Sequence, residues 1–177
     1  GGEIVVAGSL VVTGSHLLPV KFDNTSITAS NGSLDIDFAL FKNSPSVFQL
    51  DGVNTIVAKN SNFIDNFSVF SDNYGYETYS LSNNIFLNND IVFNRIRVTG
   101  DSLIDGNYFS ENSIIFNDGY FFGETTLSNN NFYDFEELVT APLLGYGYGT
   151  IVFDNNFFGG IEIVELDPFV YDGRDDV

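Results

Sequence analysis

The sequence predicts an all-β chain folded as one parallel β-helix, or β-solenoid, of about seven coils of 19 to 25 residues each. Three observations predict it. Phe recurs at a nearly fixed spacing, apolar residues keep fixed places relative to that Phe, and Asn, Gly or Asp stand just before it, where a chain must bend. A period of this length marks a stacked repeat in which each unit covers the apolar face of the next.

The tetrapeptides Phe63-Ile64-Asp65-Asn66, Phe86-Leu87-Asn88-Asn89, Phe109-Ser110-Glu111-Asn112 and Phe132-Tyr133-Asp134-Phe135 set the period, their Phe residues being 23 apart. Phe157 follows 25 later, and Phe22 and Phe41 extend the series upstream at intervals of 19 and 22. Five residues before each Phe stand Leu17, Ile36, Ala58, Leu81, Ile104, Leu127 and Val152. Seven residues after it stand Phe48, Phe70, Phe93, Phe116, Val139 and Val164, each preceded by Val, Ile or Leu, with Thr28-Ala29 the weak first member. Such short β-branched or aromatic pairs between polar bends read as strands and not as helical stripes.

The bends have their own column. Two residues before the Phe come Ser61, Asn84, Asn107, Asn130 and Asn155, preceded by Asn60, Asn83, Gly106, Asn129 and Asp154. Asn and Gly tolerate the left-handed backbone a sharp corner needs. Stacked coils would bring equivalent Asn side chains to about 4.8 Å, close enough for amide ladders along the axis. Residues 1–13, with strand-like Gly2–Ala7 and Leu10–Thr13, are expected to form an N-terminal strand or cap, residues 14–166 the coils, and residues 167–177 an acidic C-terminal cap.

Composition narrows the function classes. Apolar residues make up 44% of the chain and charged ones 17%, enough to bury a core and too apolar for a disordered chain. Cysteine is absent, which excludes disulfides and thiolate metal sites. No run approaches the roughly 18 apolar residues of a membrane helix, so membrane insertion is not expected. Six cations against 24 acids give a net charge of −18, a field that opposes nucleic acid and anionic membranes; solubility, divalent cations or a saline habitat would account for it. The first residue is Gly1, not Met, which suggests a chain secreted to the cell exterior or surface after removal of a signal peptide.

Segments such as Leu81-Ser82-Asn83-Asn84-Ile85-Phe86 and Leu127-Ser128-Asn129-Asn130-Asn131-Phe132 resemble the repeats of right-handed parallel β-helix proteins of the pectate-lyase-like superfamily. The Phe-x-x-Asn tetrapeptides at 63, 86 and 109 are similar to those of polymorphic outer-membrane adhesins, whose companion Gly-Gly-Ala-Ile motif has only partial counterparts in Gly1-Gly2-Glu3-Ile4 and Gly159-Gly160-Ile161. The resemblance implies a right-handed coil. It also implies a choice among lyases, hydrolases, adhesins and structural surface proteins, because fold does not fix function.

The lyases of that superfamily use Ca²⁺ held by acids and an Arg or Lys base. Arg95 and Arg97 are the mid-chain cations, with Asp90, Asp101, Asp105 and Asp118 near them in coil position; on one strand an i, i+2 pair would share a face. Pairing with surface carboxylates is the competing role. His16 is the lone His, so no Ser/His/Asp or His-based metal arrangement can be assembled. Oxygen-rich bends at Asp65, Asp90 and Asp154, with neighbouring Asn66, Asn88 and Asn155, are weak candidates for Ca²⁺, the one cofactor considered.

An aromatic series stands out more: Tyr74 and Tyr76, Tyr120 and Phe122, Tyr146 and Tyr148, Phe169 and Tyr171, with Arg97 at the same place in its coil. Such a strip suits stacking on sugar rings or packing on another subunit. Asn24, Asn31 and Asn66 head sequons for glycosylation. The expected function is a non-enzymatic extracellular structural or adhesive protein that assembles with itself as a filament, sheath or surface layer, through its solenoid ends and exposed aromatics. The alternative is a polysaccharide-binding or lyase-type β-helix acting on surface glycans. Ice binding is disfavoured by the lack of regular Thr-x-Thr columns.

Overall fold

The computed structural model of the chain describes residues 1–72, 77–98, 100–140 and 149–160. Three seven-stranded parallel sheets wrap a common core. Sheet A stacks β1 (Gly2–Ala7), β4 (Thr25–Ser30), β7 (Phe48–Asp51), β10 (Ser68–Asp72), β13 (Ile91–Asn94), β17 (Ile114–Asn117) and β21 (Glu137–Thr140). Sheet B stacks β2 (Leu10–Thr13), β5 (Ser33–Asp37), β8 (Thr55–Lys59), β11 (Thr78–Ser82), β15 (Ser102–Asp105), β19 (Glu124–Ser128) and β22 (Thr150–Asp154). Sheet C stacks β3 (Val20–Asp23), β6 (Ala39–Lys42), β9 (Asn62–Ile64), β12 (Ile85–Leu87), β16 (Tyr108–Ser110), β20 (Asn131–Tyr133) and β23 (Phe157–Phe158). The chain visits A, B and C in turn and winds as a β-solenoid of about 6 turns, seven rungs being six steps apart. No helix among the described residues is long and apolar enough to cross a membrane.

Corners are made by single residues with left-handed backbone. Between sheets B and C these are Phe38, Asn60, Asn83, Gly106, Asn129 and Asn155, with φ from 50° to 63°. Between C and A they are Asn24, Asn43, Asp65, Asn88, Glu111 and Asp134. An L-residue pays about 1–2 kcal/mol for this conformation unless it is Gly or a short polar residue that bonds locally, which is why Asn and Asp fill most corners. Gly32 has a different cause: a Cβ there would lie 2.0 Å from the carbonyl oxygen of Gly8 on the rung beside it.

Period-two alternation then sends the central side chain of each three-residue strand of sheet C and two alternate side chains of strands such as β5 and β8 inward, whereas β13, β17 and β21 of sheet A bury two adjacent residues. The central Phe of sheet C stacks on itself along the axis: Phe41–Phe63 at 5.3 Å, Phe63–Phe86 at 5.0 Å, Phe86–Phe109 at 4.8 Å and Phe109–Phe132 at 4.7 Å, all within 9° of parallel. Sheet A supplies a second stack, Phe70–Phe93 at 5.4 Å and Phe93–Phe116 at 4.7 Å, set edge-on or tilted against the first. These spacings are those of neighbouring parallel strands. Each fully buried ring contributes about 1.5–3 kcal/mol of apolar burial.

The columns differ from the expectation at both ends. Phe158, not Phe157, continues the inner stack: Phe132 pairs with Phe158, whose ring lies 5.1 Å away, while Phe157 points outward and is 46% exposed. The segment between β21 and β22 is three residues longer than that between β17 and β19, so the last interval is 26 and every partner shifts by one. Phe153 thus replaces Val152 opposite Leu127. In the first rung Val12 faces Ile36, and Leu17, 85% exposed, lies outside the column because the connection from β2 to β3 is long. Ile27, not Ala29, pairs with Phe48. Residues 2–7 and 10–13 form β1 and β2, the first strands of sheets A and B.

Two amide ladders run along the corners of sheet C. In the first, the backbone N–H and side-chain amide of Asn84 both donate to Oδ1 of Asn107, those of Asn107 to Asn130 and those of Asn130 to Asn156. The member in the last rung is Asn156, in place of Asn155, by the same shift. The remaining amide hydrogens of Asn84, Asn107, Asn130 and Asn156 go back to the carbonyls of Ala58, Leu81, Ile104 and Leu127. The second ladder, Asn66–Asn89–Asn112, explains Phe-x-x-Asn: Asn66 and Asn89 donate forward in the same way, and all three donate back to the carbonyls of Phe41, Phe63 and Phe86.

Candidate functional site

Connections from sheet A to sheet B vary most in length, from two residues between β1 and β2 to nine between β21 and β22, and the one after β13 carries the two central arginines. Arg95 is itself a left-handed corner residue, φ 57°, immediately after β13, and Arg97 begins a separate short strand, β14 (Arg97–Val98). The pair therefore does not lie on one strand face, contrary to the i, i+2 expectation. Arg95 is exposed, with Nε 3.9 Å from Oδ2 of Asp118, the corner residue one rung on. An exposed contact of this length is worth little.

The strand β14 pairs with β18 (Tyr120–Phe121), placing Arg97 beside Tyr120 and Val98 beside Phe121. The Arg97 guanidinium carbon sits 6.0 Å over the centre of the Tyr120 ring, a cation–π contact. Ile96, Val98 and Phe121 turn inward and are buried, which fixes the small sheet on the core. Phe122 is exposed, its backbone N–H bonded to the Val98 carbonyl at 2.7 Å. Tyr74, Tyr76, Tyr146, Tyr148, Phe169 and Tyr171 lie outside the described residues. At this same corner Glu77 is fully buried, its N–H bonded to the Arg97 carbonyl; no motif or spacing singles it out in the sequence.

The three acids considered for Ca²⁺ are apart. Asp65 accepts the Asn88 amide at 2.8 Å and lies 3.2 Å from Nζ of Lys42. The Asn88 hydrogen bond, helped by Lys42, holds its carboxyl below the usual carboxylate range. Asp90 and Asp154 are exposed on different corners, and among the described residues no group of three or more His, Asp or Glu side chains is placed to hold a metal ion. Asn66 is 2% exposed with both amide hydrogens engaged in the ladder, so the folded chain withholds it from a glycosyl donor and from any ion. Asn24 and Asn31 are exposed.

A surface absent from the sequence expectations lies on the outer face of sheet C. Flanking the buried Phe of each strand are outward residues, and in the upper rungs these include Ile85, Leu87, Tyr108, Tyr133 and Phe157. The Tyr108 and Tyr133 rings are 5.4 Å apart and those of Tyr133 and Phe157 5.3 Å, tilted by 37° and 53°. Together they form an open aromatic pad on the side of the solenoid. The signal was present as the residue before or after each repeat Phe, but which of two neighbouring Phe faces out in the last rung depended on the shifted register. No family model, curated protein or solved structure matches this chain.

Proposed function

We propose that this chain is a non-enzymatic structural or adhesive protein of the cell exterior, a right-handed solenoid that associates with further copies through its ends. The observation that carries the reading is that all three sheets end together on β1, β2 and β3, with Ile4, Val5 and Val11 exposed on the terminal strands. Strands at such an edge present unpaired backbone groups that accept another strand. The roles of the central cations also favour a scaffold: Arg95 sits at a corner beside Asp118, and Arg97 packs on Tyr120. The Asn-rich corners and Phe-x-x-Asn repeats support kinship with the pectate-lyase-like superfamily and with outer-membrane adhesins at the level of the repeat.

Electron microscopy of the purified chain, with and without a Ca²⁺ chelator, tests the proposal. Ordered polymers without polyuronate cleavage are expected, and Val5→Lys on the edge strand β1 should shorten or abolish them. A discrete monomer that degrades polyuronate would overturn the reading in favour of the lyase.

A further inference from the structure

We infer that the outer face of sheet C is a binding strip for an uncharged, linear oligosaccharide lying along the solenoid axis, with Tyr108, Tyr133 and Phe157 as the ring platform. The inference goes beyond the proposed function and does not rest on it.

Charge is the first argument. The chain carries −18 overall, yet β9, β12, β16, β20 and β23 contain no Asp, Glu, Lys or Arg. Five consecutive rungs thus present an outer face of neutral side chains on a strongly acidic molecule. Exposed acids line one margin, Glu111 and Asp134 at the corner towards sheet A. They repel a polyuronate while their oxygens accept hydrogen bonds from sugar hydroxyls. The opposite margin carries the exposed corner residues Asn83, Asn129 and Asn155, with the Asn155 amide on Asn129 and the Asn129 amide on Asp105, and exposed Asp154 beside them. A neutral polyhydroxyl ligand is the chemistry that an uncharged aromatic platform between two margins of carboxylate and amide oxygens accommodates.

Area is the second. Strands of three residues make the strip about 10 Å wide, and five rungs make it about 24 Å long, roughly 240 Å². A stable protein partner needs about 800 Å² on each side. The strip is too narrow for a dimer interface and has the proportions of a single extended chain. The half-exposed rings, tilted and in mutual contact, offer faces on which the C–H side of a pyranose packs.

Native electrophoresis through gels containing hydroxyethylcellulose, galactomannan or xyloglucan, with polygalacturonate as the anionic comparison, tests this directly. Retardation by at least one neutral polymer and none by polygalacturonate is expected. Tyr108→Ser, Tyr133→Ser and Phe157→Ser should each weaken it by roughly tenfold, whereas Leu103→Ser, an exposed position on sheet B, should leave it unchanged. Asn131→Glu, which keeps every ring and adds charge to the strip, should weaken it as well and covers the case of a ring variant that fails to fold. Absence of retardation by every neutral polymer, retardation by polygalacturonate alone, or equal loss in Leu103→Ser would overturn the inference. So would a dimer, seen by light scattering, that these ring variants dissociate. The microscopy of polymers is a separate readout, so either proposal can fail while the other stands.

Discussion

Asn107 receives two donors from Asn84 at its Oδ1 and gives its own amide to the Leu81 carbonyl and to Asn130. Asn107→Ala would leave two donors and an acceptor buried without partners, and a loss of roughly 2–4 kcal/mol is expected from urea denaturation. Asn107→Ser should cost less, since Ser61 occupies the same column two rungs earlier and still accepts the Ala39 N–H. At Glu111 the backbone is left-handed, φ 55°, and the side chain exposed; Glu111→Asn should raise stability by about 1 kcal/mol. Asp65 and Asp105 add a pH dependence. Hydrogen bonds from Asn88 to the first, and from Ser128 and Asn129 to the second, hold both carboxyls below their unfolded values. Their stabilisation is therefore complete above about pH 4 and is lost as pH falls through the lowered values. Urea midpoints of Asp65→Asn and Asp105→Asn variants should fall less steeply below that pH than those of the unmodified chain. At this scale the sequence was a good guide to corners, because Asn, Gly and Asp reveal left-handed backbone, and a poor one to Phe38 and Arg95, whose corner conformation is imposed by their rung neighbours.

The strands of sheet C are two to four residues long and have little stability alone; the stack of Phe rings makes them cohere. Phe86 contacts Phe63 and Phe109 and is fully buried, so Phe86→Ala should cost about 3–5 kcal/mol. Among the described residues Phe22 stacks on Phe41 alone and is partly buried at the end, and its replacement by Ala should cost clearly less in the same denaturation measurement. In the middle rungs strand register was legible because the period of 23 holds there without exception. At the ends it was not. Extra residues in the first and last coils displace the visible Phe or Leu from its column, and a one-residue slip exchanges inward and outward side chains. The same slip hides the aromatic pad, since the Phe spacing alone puts Phe157 in the inward column.

Across the whole molecule, a charge of −18 sets the response to solvent. Self-repulsion eases as pH falls from 7 towards the isoelectric point near 4.1, while the Asp65 and Asp105 contributions are lost only below it. Stability measured from pH 8 to 2 should therefore pass through a maximum on the acid side of neutrality, and added salt should raise it at pH 7 but not near pH 4. The general architecture was legible at this scale, and the period of 23 already sets Arg97 beside Tyr120 and Arg95 beside Asp118; what it does not show is the left-handed backbone at Arg95 that takes the two guanidinium groups off a common strand face. The amide ladders, finally, have a direction. Each Asn before the last of its ladder gives its N–H and one amide hydrogen to the next rung and the other amide hydrogen to the rung behind. A stack cut between two rungs therefore leaves unlike faces, two open donors on the N-terminal piece and an open Oδ1 acceptor with one amide hydrogen on the C-terminal piece, so the two ends of a partial solenoid differ in hydrogen-bonding chemistry.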